Sequence, residues 1–214
     1  MSKTKKIWMA AGALMVLFIF IVAGTIFYNN SRLNPEDEAA HLATYLIEQD
    51  NIHNRMLNDM SITSSGNADL DFLIGMQIHH QAAVNMCESY LTHGSSRKLK
   101  RTVRKIIKET REEIAEMEQL SDILVHTSSD PEACQIYMDA YNNMLSLTNH
   151  TSHGTSTDMT VEEAFAQGMI KHHQMAIDMS DSILSLTGNS EIKEMAQEIM
   201  ENQTEEMQIM LAVQ

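Results

Sequence analysis

Two stretches of this chain concentrate the side chains able to do chemistry. Phe72, Gly75, Met76, His79, His80, Gln81, Ala83 and Met86 recur 93 residues later as Phe165, Gly168, Met169, His172, His173, Gln174, Ala176 and Met179, eight identities in a window of fifteen. Imidazole and thioether are the donors in both copies. Thioethers favour Cu(I) and other soft ions, and imidazole suits copper well, whereas zinc is normally held by thiolate, imidazole or carboxylate. A core that needed only packing would tolerate Leu for Met and would not require two adjacent histidines in both copies.

Helical geometry sorts these donors. At about 100° per residue, Phe72, Met76, Ala83 and Cys87 share one narrow face, with His80 to one side of it and His79 to the other. Adjacent histidines cannot easily grip one ion from one face, so each is expected to reach a different neighbouring helix. Met76 stands three residues before His79 and four before His80, so it can join either at a shared ion. Met86 is roughly 10 Å along the axis from His79, too far for a common mononuclear site. In the second copy Met169, His172, Met175 and Met179 form a ladder with steps of three, three and four, whereas the first copy has Ala82 at the place of Met175. The two sites should therefore be unequal. Further candidates follow on other helices: Glu113 with Met117, Glu206 with Met210, and His53, Met56 and Met60. The candidate metal ligands are thus Met76, His79, His80, Met86, Met117, Met169, His172, His173, Met175, Met179 and Met210.

Helices must position these residues. Asn34-Pro35-Glu36 and Asp130-Pro131-Glu132 read as helix starts, with Pro at the first helical position and an acid on the positive helix end. Thr160 and Glu163 have the spacing of a capping box. Gly94 and Gly188 follow apolar-periodic runs as expected of C-terminal caps. Six helices are predicted near 35–61, 69–92, 96–127, 131–148, 160–186 and 191–212. The offset of 93 continues into the following helix, where Glu112, Glu113 and Met117 match Glu205, Glu206 and Met210. The preceding helices share Asn54, Met56 and Leu57 with Asn142, Met144 and Leu145, at an offset of 88. The unit is therefore three helices used twice, over 35–127 and 130–214. Two hairpins packed face to face give an all-α, antiparallel bundle.

The N-terminal 30 residues differ in kind. Ile7 to Tyr28 is an uncharged run long enough to span a bilayer, preceded by Lys3, Lys5 and Lys6. It reads as an anchor that leaves residues 31–214 outside the cytoplasm; a signal segment is the alternative. All ten histidines and 15 of the 18 methionines lie in that exported part. The net charge of −14 argues against nucleic-acid binding. Two cysteines, Cys87 and Cys134, are too few for a disulfide scaffold and are open to pairing, ligation or burial. Arg97 to Arg111 holds eight basic residues on a helix whose inward stripe runs from Leu99 to Met117, either a solvated face or a surface for an acidic partner or anionic lipid. His150 and His153 sit in a Ser/Thr/Gly-rich connection.

The pattern Gly75-Met76-x-x-His79-His80-Gln81, with its copy from Gly168 to Gln174, resembles a ferritin-like bacterial family, long of unknown function, with paired Met-x-x-His-His-Gln helices and an exported copper-binding member. The family's second-helix pattern, Gln-x-x-Glu-Ile-x-x-Met, is similar to Gln203, Glu206, Met207 and Met210; at the matching place in the first copy Thr110 replaces the Gln. The resemblance implies an all-helical metal-binding protein outside the cytoplasm, linked to copper resistance or delivery to a partner protein. A di-iron oxidoreductase is the alternative, using Glu-x-x-His on two helices. Met76 and Met169 occupy the place of that Glu, which argues against iron. A membrane-anchored interaction or sensor module with methionines as core filler is the other alternative. No nucleophile triad, phosphate loop or nucleotide motif is present, so no enzyme is expected.

Overall fold

The structure, a computed structural model, describes residues 35–149 and 159–213. Their regular structure is entirely helical: α1 (Pro35–Asp59), α2 (Ala68–His93), α3 (Arg97–Leu124), α4 (Pro131–Asn149), α5 (Val161–Leu184) and α6 (Ser190–Leu211). The run Ile7 to Tyr28, Asn34, His150 and His153 lie outside the described residues, and no described helix is long and apolar enough to cross a membrane. The chain divides into two compact units, residues 1–41 and 42–214. Of the first, the described part is the opening of α1, with Glu36, Asp37 and Glu38 in its first turn. The second unit holds every candidate ligand.

Local chemistry sets the helix starts. Asn67 caps α2 by accepting from the backbone N–H of Asp69 at 3.0 Å, and Thr160 and Glu163 complete the capping box of α5. Asp130 accepts from Glu132 N at 3.0 Å, just before Pro131. The ends follow a different rule from the one expected of glycine. Gly94 has φ −66°, not a left-handed conformation, and closes α2 by donating its N–H to Tyr90 O at 2.7 Å. Gly188 stands beyond the last turn of α5, which stops at Leu184. Glu162 fastens the α2–α3 turn to the start of α5, accepting from Ser95 N at 2.6 Å and Ser96 N at 2.9 Å. Burial alone would raise its pKa, but these amide donors outweigh burial and hold it below the ordinary range.

Helix α2 packs on α3, α5 packs on α6, and the two hairpins meet through α2 and α5, with α4 against both. One apolar cluster joins the start of α2 (Phe72, Leu73, Met76) to the end of α5 (Met179, Ile183). The other joins the end of α2 (Ala83, Cys87, Tyr90) to the start of α5 (Phe165, Met169). The two helices therefore run antiparallel, and the histidines fall in their midsections. Each fully buried large side chain in these clusters contributes about 2 kcal/mol. On α3 the buried stripe is Leu99, Val103, Ile106, Ile107, Thr110 and Met117, as the sequence pattern requires. Of its eight bases, Lys105, Lys108 and Arg111 pair with Glu109, Glu112 and Glu88 at 2.7–3.2 Å.

Candidate metal centre

The adjacent histidines diverge as the helical geometry demands. His79 turns toward α5 and His80 toward α3. His79 stacks on His172, with ring centroids 3.6 Å apart and planes 29° apart. His172 Nε2 lies 3.2 Å from the backbone oxygen of His79. A carbonyl oxygen only accepts, so Nε2 of a neutral His172 carries the proton and Nδ1 keeps its lone pair. That Nδ1 is buried and has no hydrogen-bond partner. Burial first, and then the nearby imidazole of His80, holds the His79 pKa well below the ordinary histidine range; burial and then His79 do the same to His172. Both rings are therefore neutral, the form in which imidazole binds a metal.

His80 and His173 each face a carboxylate. His80 Nε2 is 3.2 Å from Glu113 Oε2, and His173 Nε2 is 3.0 Å from Glu206 Oε2. Glu113 is steadied by Asn202, whose Nδ2 donates to Oε1 at 2.9 Å. Burial would raise the Glu113 pKa, but the imidazole of His80 and the Asn202 amide outweigh it and hold the carboxyl below its usual range. Both glutamates line a cleft of about 500 Å³ between α3 and α6, which also receives Glu109, Glu112, Glu116, Glu198 and Glu205.

A second space has the opposite character. A pocket of about 50 Å³ is lined by Gln49, His53 and Met56 of α1, Met86 of α2, and Gly168, His172 and Met175 of α5. Three thioethers and two imidazoles thus border one small volume. Gly168 leaves room for Met86, whose terminal Cε would lie 3.4 Å from a Cβ placed there. The side-chain amide of Gln49 is buried with neither its oxygen nor its nitrogen hydrogen-bonded. Leaving such a group unpaired costs about 1–3 kcal/mol, so the pocket favours an occupant that offers it a partner. Thioether with imidazole is a donor set that suits a soft ion, and among the described residues no three His, Cys, Asp or Glu side chains form a group able to hold a metal.

Of the eleven residues singled out in the sequence, Met86, His172 and Met175 line this pocket, His80 and His173 meet glutamates that line the acidic cleft, and His79 joins the two halves by stacking. Met76, Met117, Met169, Met179 and Met210 are buried in the two apolar clusters, to which Met86 and Met175 also belong. Gln49 and Asn202 were not foreseen. The signal for Gln49 was present: with His53 and Met56 it continues the four-then-three spacing on α1. Met60, the next residue on that ladder, is fully buried and gives its backbone oxygen to Tyr141 at 2.8 Å. Cys87 and Cys134 are both buried free thiols. Burial, and then the negative charge of Glu206, pushes the Cys87 pKa up and keeps it a thiol.

An all-helical scaffold with thioether, imidazole and carboxylate donors between its helices defines the class. Residues 48–121 and 69–214 match the family described as a domain of unknown function (DUF305), and the chain belongs to it. Among solved structures, CopM in the Cu(I)-bound form matches with 25% identity and a TM-score of 0.50, over 67% of this chain and 93% of that one. CopM in an Ag-bound form matches with 24% identity and the same TM-score over the same shares. A DUF305 fragment from Deinococcus radiodurans matches with 21% identity and a TM-score of 0.49, over 68% of this chain and 94% of that one. No curated protein matches the chain.

Proposed function

We propose that this protein binds copper without turning it over, holding Cu(I), or Ag(I) in its place, among His53, Met56, Met86, His172 and Met175, for resistance, buffering or delivery to a partner protein. The observation that carries this reading is the pocket itself: three thioethers and two imidazoles around about 50 Å³, with a neutral His172 whose free nitrogen is fixed by the hydrogen bond of the other. The likeness to CopM in its Cu(I)-bound form supports it. The ferritin-like and repeated character of the bundle belongs to the same reading. So does an anchor over Ile7 to Tyr28 with the helical domain outside the cytoplasm, where thioethers and imidazoles serve as ligands while free thiols oxidise. Iron is disfavoured because Met76 and Met169 stand where a di-iron site needs Glu.

The test is an anaerobic Cu(I) titration of the full chain against a competing chelator. The double variant Met86→Leu, Met175→Leu conserves volume and removes two sulfurs. Its affinity should fall by more than the roughly 10- to 100-fold that outer partners of a site contribute. An unchanged titration, with helix content kept, refutes the pocket as the site.

A further inference from the structure

The His–Glu pairs point to a second kind of ion. His80 and His173 are each 1% exposed, yet neither ring nitrogen of either residue makes a well-aligned hydrogen bond, and neither does Glu206 Oε2. Nearly all buried polar atoms in a native interior are satisfied, so five orphans in one layer call for an explanation. The separations supply one. Nε2 of His80 and His173 approach Glu113 Oε2 and Glu206 Oε2 to 3.2 and 3.0 Å, but neither pair has the geometry of a good hydrogen bond. Two donors about 2.0–2.2 Å from one zinc stand roughly 3 Å apart, with lone pairs converging on the ion and not on each other.

We infer that His80 with Glu113, and His173 with Glu206, bind a borderline divalent cation of the Zn(II) type, distinct from the soft ion of the thioether pocket. Imidazole and carboxylate are ligands such a cation accepts, and no sulfur lines the cleft. The cleft of about 500 Å³ opens on both carboxylates, so water completes each shell. With two firm protein ligands per ion the site is of moderate affinity and readily exchanged. Asn202 is its positioning residue, holding Glu113 by the oxygen that does not face His80. This inference stands independently of the copper reading, because it uses none of the pocket residues.

The experiment titrates the full chain, freed of metal, with Zn(II) against a chromophoric chelator, and repeats it on four variants. E113Q with E206Q, and separately H80Q with H173Q, should each weaken Zn(II) binding by more than about tenfold. Rim substitutions E109Q, E112Q and E205Q together should leave it within a factor of about three, as screened surface charges do. M86L with M175L should leave Zn(II) unchanged while removing Cu(I). Zn(II) binding that survives both inner pairs of substitutions, or that is lost with the rim glutamates alone, overturns the assignment. Should either inner variant not fold, X-ray absorption of the Zn(II)-loaded natural chain decides: a shell of nitrogen and oxygen supports the proposal, and sulfur in the shell refutes it.

Discussion

The thioether pocket and the place related to it by the sequence repeat are built from matching positions and come out opposite. Around Gly168 stand Gln49, His53, Met86 and Met175. The matching positions around Gly75 are Tyr137, Tyr141, Met179 and Ala82. There the Tyr141 ring presses against the helix so closely that a Cβ on Gly75 would come within 2.8 Å of its Cε2. Tyr137 and Tyr141 are buried, and the Tyr141 hydroxyl donates to Met60 O. At Gly75 an aromatic ring therefore fills the space, whereas the space at Gly168 is left lined with donors. The two glycines show the same division: one admits a ring, the other a methionine tail. A shared scaffold can thus give stability to one half and chemistry to the other.

That comparison can be broken most severely at Tyr141. Tyr141→Ala should cost about 3–5 kcal/mol in chemical denaturation, since it empties a filled site and strips Met60 O of its donor. A loss below about 1 kcal/mol would mean the ring is not structural. Tyr141→His with Ala82→Met sharpens the comparison by writing the donor set of one half into the other. It should also destabilise the protein, while raising the Cu(I) stoichiometry by one in the anaerobic titration. Next in size is Gly75→Ala, about 1–3 kcal/mol from overpacking against a buried ring. Gly168→Ala meets only the mobile end of Met86, so it should be neutral or stabilise by up to about 1 kcal/mol through helix propensity. Equal effects of the two alanines in thermal melts would dissolve the distinction.

The smallest effect at neutral pH is electrostatic. His79 and His172 have pKa values lowered in the fold, so the unfolded chain binds more protons than the folded one as the solution is acidified. Their contribution is full above about pH 6.5 and is lost as pH falls from there toward the lowered folded values. The Tm of the metal-free protein should drop between pH 7 and pH 5, and His79→Gln should flatten that slope. A slope unchanged by the substitution would show that other groups control it.

Much of this was legible in the sequence, for identifiable reasons. Helix existence follows from period and caps: the Thr160–Glu163 box and the Asp130-Pro131 start are short-range chemistry and appear as read. The 100° step between adjacent residues correctly sent His79 and His80 to different helices. Ala82 against Met175 gives an expectation of unequal metal sites, and in the structure it is Met175 that lines the thioether pocket. What local pattern does not encode is which helix lies across from which. The first helix of each copy reaches the His-bearing helix of the other: His53 lines a pocket with Gly168, and Tyr141 covers Gly75. The pocket lining therefore mixes both copies, and of the methionines buried in the core only those that meet the facing helices, Met56, Met86 and Met175, also border it. Helix ends were the other loss. Gly94 closes α2 without the left-handed turn expected of a glycine cap, because its amide reaches Tyr90 O from an extended conformation.

The size of the thioether pocket carries a selectivity of its own. About 50 Å³ has room for a few water molecules at most. A cation that keeps a full coat of six waters does not enter. On the proposed reading, admission would go to ions that surrender their hydration cheaply and one ligand at a time, while strongly hydrated cations would stop at the broad acidic cleft. The fold would then sort metals by the cost of drying them, before any donor atom is asked to choose.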